Sequence, residues 1–149
     1  MAYRSLLVDR VLTVAWRKPE HEDLVAIVGE LRREHERRKR PLLYLSVIGP
    51  AALPQGAVRD ELVKFYEDVL SVCESMHIVI EGNEFQSSIK RSVIANVLLV
   101  LHGARGRVFI ENTLEGVRAI SPPSLRPELA EAQRVAGTMY EFARDVERP

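Results

Sequence analysis

The chain predicts an α/β domain: a four- to five-stranded, mixed and largely parallel sheet with helices packed against it, plus an extra C-terminal helix. Three observations carry that prediction. Short runs rich in β-branched and aromatic residues recur at residues 3–8, 11–16, 42–48, 77–80 and 107–110. Between the later runs lie longer segments whose apolar residues fall three and four apart, the spacing of a helix face. The runs at 42–48 and 77–80 are apolar almost without a break, as strands covered on both faces are.

Residues 3–8 and 11–16, separated by Asp9-Arg10, read as a tight hairpin or one bent strand. Pro19 stands where a helix can begin, and the acids Glu20, Glu22 and Asp23 suit its positive end. Leu24, Ile27, Val28 and Leu31 give that first helix its buried stripe, and it runs into a charged end over residues 32–40 that Pro41 stops. The run 42–48, bounded by Pro41 and Gly49-Pro50, is expected as a central strand. The following loop, 49–57, carries Gly49, Pro50, Pro54 and Gly56.

Leu62, Phe65, Tyr66, Val69, Leu70, Cys73 and Met76 then predict a second helix, with a buried strand at 77–80 closing at Gly82-Asn83. A third helix is expected over about residues 86–102. Its second half is apolar nearly all round, which places it deep in the domain or at an oligomer interface. Gly103 and Gly106 end it. Asn112 with Glu115 resembles a capping box for a short helix through Ile120. After Pro122-Pro123, the stripe Leu129, Ala132, Ala136, Met139, Tyr140 and Ala143 predicts one amphipathic helix over 127–146. Residues 1–121 are thus expected to form the domain, with 122–149 packed on it or on a partner.

At 149 residues the chain has the size of one domain, and its 46% hydrophobic and 28% charged content argues against disorder. Basic and acidic residues balance at 21 each, so bulk charge supplies no reason to expect nucleic acid or an anionic membrane. Cys73 is the single cysteine and cannot form an internal disulfide, which fits a reducing, cytoplasmic setting. Residues 1–10 lack the apolar core of a signal peptide. The longest apolar stretch, 93–101, is interrupted by Asn96 and is too short for a membrane span.

The order of elements resembles the STAS family, the anti-sigma-factor antagonists and their CRAL-TRIO-like relatives, in a divergent bacterial form. The resemblance is carried by Leu12-Thr13-Val14 leading into the helix at Glu20, by residues 42–47, and by His77-Ile78-Val79-Ile80. Arg107-Val108-Phe109-Ile110, followed by Thr113-Leu114-Glu115-Gly116-Val117, resembles the family's closing strand and short helix. It covers roughly residues 3–120. It implies a regulatory module acting by protein–protein contact, or a domain holding a small apolar or lipid-like ligand. STAS regulators carry a phosphorylatable hydroxyl just after the central strand. Residues 48–57 contain none, so control by phosphorylation there is not expected.

No catalytic centre, metal site or cofactor is expected. Cys73 sits on the apolar stripe of the second helix, as a buried thiol does. His21, His35, His77 and His102 lack metal-ligand spacing, with His77 read as opening a strand and His102 as closing a helix. Asp60, Glu61, Glu67 and Asp68 fall on a polar helix face. Residues 32–40 hold six bases against two acids: either a solvated helix end or a docking patch, with Arg37, Arg38 and Arg40 as its candidate contacts. No aromatics are interleaved, so single-stranded nucleic acid is not expected as a partner. Residues 82–91 pass from strand to helix, where free N–H groups can hold an anion, yet no phosphate-loop fingerprint is present. Loops at the carboxyl ends of strands are the usual working edge of such sheets. Candidate partner contacts are therefore Gln55, Arg59, Asn83, Phe85, Ser87, Ser88, Lys90 and Arg91, with the third and last helices expected to give self-association as a homodimer.

Overall fold

The computed structural model describes residues 2–49, 59–81, 92, 94–101 and 103–144. Five strands form one sheet in the order β1 (Tyr3–Val8), β2 (Val11–Trp16), β3 (Leu42–Ile48), β4 (Cys73–Ile80) and β5 (Val108–Glu111). The β1–β2 pair is an antiparallel hairpin and every other pair is parallel. The sheet is therefore mixed and mostly parallel, with helices on it and a helical C-terminal segment, the fold class that the residue pattern predicts. Asp9 takes a positive φ of 52° in the two-residue turn, a conformation that aspartate tolerates better than most residues.

Helix α1 (His21–Arg38) joins β2 to β3, α2 (Arg59–Val72) lies between β3 and β4, and residues 94–99 (α3) lie between β4 and β5. Consecutive parallel strands that are also spatial neighbours, linked by crossovers of one hand, put all three helices on one face. Leu24, Ile27 and Leu31 of α1, Leu62, Phe65 and Val69 of α2, and Ile94 and Val97 of α3 accordingly share one core with Leu12, Val14, Tyr44, Met76 and Ile78. The alternate residues Val11, Ala15, Leu43, Leu45, Val47 and Val79 point the other way. They are covered by α4 (Leu114–Ile120), α5 (Arg126–Ala136), a 3-10 turn (Gly137–Tyr140) and the short α6 (Glu141–Arg144).

Several boundaries differ from the periodicity, each for a physical reason. The helical stripe predicted as far as Met76 ends at Val72, and the strand begins at Cys73 rather than His77. Arg107 stops the helix: its guanidinium donates to the carbonyls of Leu70 at 2.7 Å, Cys73 at 2.6 Å and Glu74 at 3.1 Å. Residues three apart at 73 and 76 suit either period, because the β3–β4 register shifts at Leu42/Leu43. His77 consequently sits in mid-strand, fully buried. In α3 the apolar residues do not all go inward: Ile94, Val97 and Leu101 are buried, whereas Leu99 is 82% exposed. Thr113, not Asn112, caps α4, accepting the Gly116 N–H at 2.9 Å. The single C-terminal helix is instead broken at Gly137, whose φ is +56°. At α1 the expected start holds, with the Asp23 carboxylate accepting the Glu20 N–H at 2.8 Å.

Two close fits secure the C-terminal segment. Arg10 at the hairpin turn is buried and donates to both carboxylate oxygens of Glu128 (2.6 and 2.7 Å) and to Glu74 at 2.7 Å. Gly49, at the end of β3, lies so close to α6 that a Cβ there would stand 1.8 Å from the Ala143 carbonyl oxygen. Gly49→Ala is therefore expected to lower unfolding stability by about 3 kcal/mol in denaturant titration, since the obstacle is backbone. Gly29→Ala is the matched control: its Cβ would meet only the end of the Arg33 side chain at 3.3 Å, so stability should hold or rise by up to about 1 kcal/mol.

Candidate interaction site

The residues expected at a partner surface fall into three groups. Gln55, Asn83, Phe85, Ser87, Ser88, Lys90 and Arg91 lie outside the described residues, as does His102. Arg59 opens α2. Arg37 and Arg38 converge on one carboxylate: Glu34 accepts from Arg37 at 2.7 and 3.2 Å and from Arg38 at 3.3 Å, and Arg38 also reaches Asp9 at 3.5 Å. Glu34 is held below the usual carboxylate range chiefly by its hydrogen bond from Arg37. Arg40 is exposed in the turn before β3, and its charge adds to the lowering of the Glu128 pKa that Arg10 dominates.

A surface not anticipated from the sequence lies between α1 and α2. It is a groove of about 510 Å³ with an apolar floor of Leu24, Val25, Val28 and Phe65. Gly29 supplies no side chain to close it, and Val25 is 56% exposed. Charged groups rim it: Arg32 pairs with Asp68 across the helices at 3.2 Å, and Lys64 reaches the same carboxylate at 3.0 Å. His21 stands 3.6 Å from Glu61 at the other end. The one sequence signal for it is Val25 beside Leu24, an apolar residue one step off the core stripe, with glycine four residues on.

Elsewhere among the described residues, Arg10, Arg107 and His77 are held in structural contacts. At the lower edge of the sheet a pocket of about 730 Å³ is lined by Arg10, Glu74, Ser75, Arg107 and Phe109 among others. Its two arginines are each held by the three contacts given above. Behind it runs a buried chain of hydroxyl and imidazole groups. The Ser121 hydroxyl donates to the Val117 carbonyl at 2.6 Å, so His77 Nδ1 must carry the proton that bridges to Ser121 Oγ at 2.7 Å. His77 Nε2 is then the acceptor for the Ser75 hydroxyl at 2.8 Å. Phe109 stacks on the ring with centroids 5.2 Å apart. Burial pushes the His77 pKa down to about 4 and the Cys73 thiol up to about 12. At neutral pH the first is a weak base and the second stays protonated. Among the described residues no group of three or more His, Cys, Asp and Glu is placed to hold a metal ion, and no helix is long and apolar enough to cross a membrane.

Compared with protein-family models, with curated proteins and with solved structures, the chain matches none.

The imidazole makes a pH prediction. His77 is neutral in the fold, with a pKa of about 4 against roughly 6.5 when unfolded. Its contribution is complete above about pH 6.5 and is lost as the pH falls towards 4, because only the unfolded chain takes up the proton. Stability measured by denaturant titration should fall by about 3 kcal/mol across that window from this group. His77→Gln should flatten the slope there, whatever its effect at pH 8.

Proposed function

We propose that this chain is a non-catalytic regulatory or scaffold module that works by protein–protein contact, as the STAS resemblance implies. The observation that carries the reading is the α1–α2 groove, with its apolar floor open to solvent and a rim of both charge signs. An apolar cleft rimmed by polar groups is the surface expected to receive apolar anchors of a partner helix or loop. The sheet order and its antiparallel first pair support the STAS reading. The Ser75–His77 pair supports the non-catalytic reading, because its protons are already assigned to a structural chain and its imidazole is a weak base. The single, buried Cys73 fits work in the cytoplasm.

A small apolar or lipid-like ligand is the second reading, favoured by a groove volume within the range of small-molecule sites. One variant separates the two. Val25→Asp places a charge on the exposed floor without entering the core, so circular dichroism should be unchanged. Affinity capture with the full chain should then lose the specific partner that wild type and Val135→Asp both retain. Unchanged capture would overturn the groove reading. Native mass spectrometry showing a retained small molecule that Val25→Asp releases would establish the second.

A further inference from the structure

Strand β1 forms one margin of the sheet, and among the described residues only β2 pairs with it. The hairpin decides which backbone groups face outward. In a two-residue hairpin the closing pair, here Val8 and Val11, exchanges both hydrogen bonds, and every second pair does the same. The Arg17 N–H donating to the Ala2 carbonyl at 2.8 Å keeps that alternation at the far end. Arg4 and Leu6 therefore bond to β2, whereas Tyr3, Ser5 and Leu7 aim their N–H and C=O groups away from the sheet. Along that margin runs a trough of about 830 Å³ lined by Ala2, Tyr3, Arg4, Ser5 and Leu6, with Asp23 and Met139 completing it. The strand lacks the usual devices that blunt an edge: it has no proline, no register shift and one charge, Arg4, and Leu6 is 37% exposed.

We infer that β1 is a dimerisation strand, pairing antiparallel with β1 of a second copy across a two-fold axis normal to the sheet and joining two five-stranded sheets into one. This deepens the interaction reading by naming one partner, and it uses a surface separate from the groove. A second copy, rather than a foreign strand, is indicated by α1. That helix covers the β1–β2 hairpin, sharing a core with Leu12 and Val14 of β2 and Tyr3 and Leu7 of β1, with the Ser5 hydroxyl donating to Glu30 at 3.3 Å, and it packs beside α2. It begins with Glu20, Glu22 and Asp23 and ends in the basic run that includes Arg32, Arg33, Arg37 and Arg38. The two-fold sets the two α1 helices antiparallel, so each acidic start lies towards the other's basic end. Packed helices sit about 10 Å apart, close to two strand spacings of about 4.8 Å. A helix seated over the β1–β2 pair lies about one strand spacing from the axis, so the two copies stand about two spacings apart, an ordinary packing distance.

The axis also selects a register. Opposed residues must share a face, so the axis passes beside a single residue. With Leu6 opposite its own copy, Ser5 and Leu7 exchange hydrogen bonds in both directions and the exposed leucines meet in a closely spaced pair.

Size exclusion with light scattering on the full chain, from low micromolar to near-millimolar concentration, is expected to show a monomer–dimer equilibrium. Ser5→Pro removes an outward N–H without breaking the β2 ladder, and should weaken the dimer by at least about tenfold with circular dichroism unchanged. Cys73 is the only native cysteine and is buried. Mild oxidation of Leu6→Cys should therefore trap a covalent dimer, because closely spaced antiparallel pairs suit a disulfide, while Val135→Cys stays monomeric. A chain that remains monomeric throughout overturns the inference, even if a foreign strand binds the edge. So does a dimer that survives Ser5→Pro or that Leu6→Cys does not trap. Val25→Asp should leave the dimer intact, so loss of the groove reading and loss of this one are told apart.

Discussion

Strands β2 and β3 present no face to solvent, and β4 presents almost none. Parallel strands of this kind can persist only if both sides of the sheet are covered, since each side is a continuous apolar surface. That constraint explains the distribution of helices. The crossovers α1, α2 and α3 cover one side because the chain adds parallel strands in spatial order. Among the described residues no helix between β1 and β5 covers the other side, and that task falls to α4 and the segment from Leu125 to Ala143. The C-terminal segment thereby closes the second of the two hydrophobic cores. Its small residues Ala132, Ala136 and Ala143 allow it to lie close on the strands.

Double coverage creates buried edges, and the polar residues found there satisfy backbone and charge rather than perform chemistry. Arg107 supplies donors to the carbonyls left open where α2 turns directly into β4. Arg10 holds the first hairpin, the start of β4 and the start of α5 with one cation. The Ser75–His77–Ser121 chain joins β4 to the end of α4 with every proton placed. A buried polar group without a partner costs about 1–3 kcal/mol, so each of these clusters is under pressure to be complete. Completeness of this kind is the opposite of what a reacting group needs.

Among the described residues, both proposed interaction surfaces lie on α1 and the margin beside it. One flank of α1 forms a wall of the groove shared with α2, and the other lies beside β1, which among the described residues pairs with β2 alone. Its charge is graded from acidic to basic along its length, and part of the basic end is neutralised by Glu34. The basic run is thus less a free patch than one end of a polarised helix. That polarity matters for a partner laid antiparallel to it.

By itself the sequence determined the class of fold, the order of its elements and most of the core. Period-2 and period-3.6 patterns are local, and residues such as Leu24, Ile27, Leu31, Leu45 and Val79 show their burial through neighbours a few positions away. At Asp9-Arg10 the sequence allowed a tight hairpin or one bent strand, and the antiparallel β1–β2 pairing decided for the hairpin. The tertiary structure alone decided where α2 yields to β4, since the stop is made by Arg107, more than thirty residues away in the chain. It alone made His77 a mid-strand, doubly bonded imidazole, because Ser121 and Phe109 come from other elements. It also decided which apolar residues stay outside. Val25, Leu99 and Leu6 are as apolar as their buried neighbours, and only the packing of α2, α3 and β2 against the sheet leaves them facing out. The groove and the edge strand were hidden for that reason: each is defined by what does not cover it, and coverage is a property of the assembled layers.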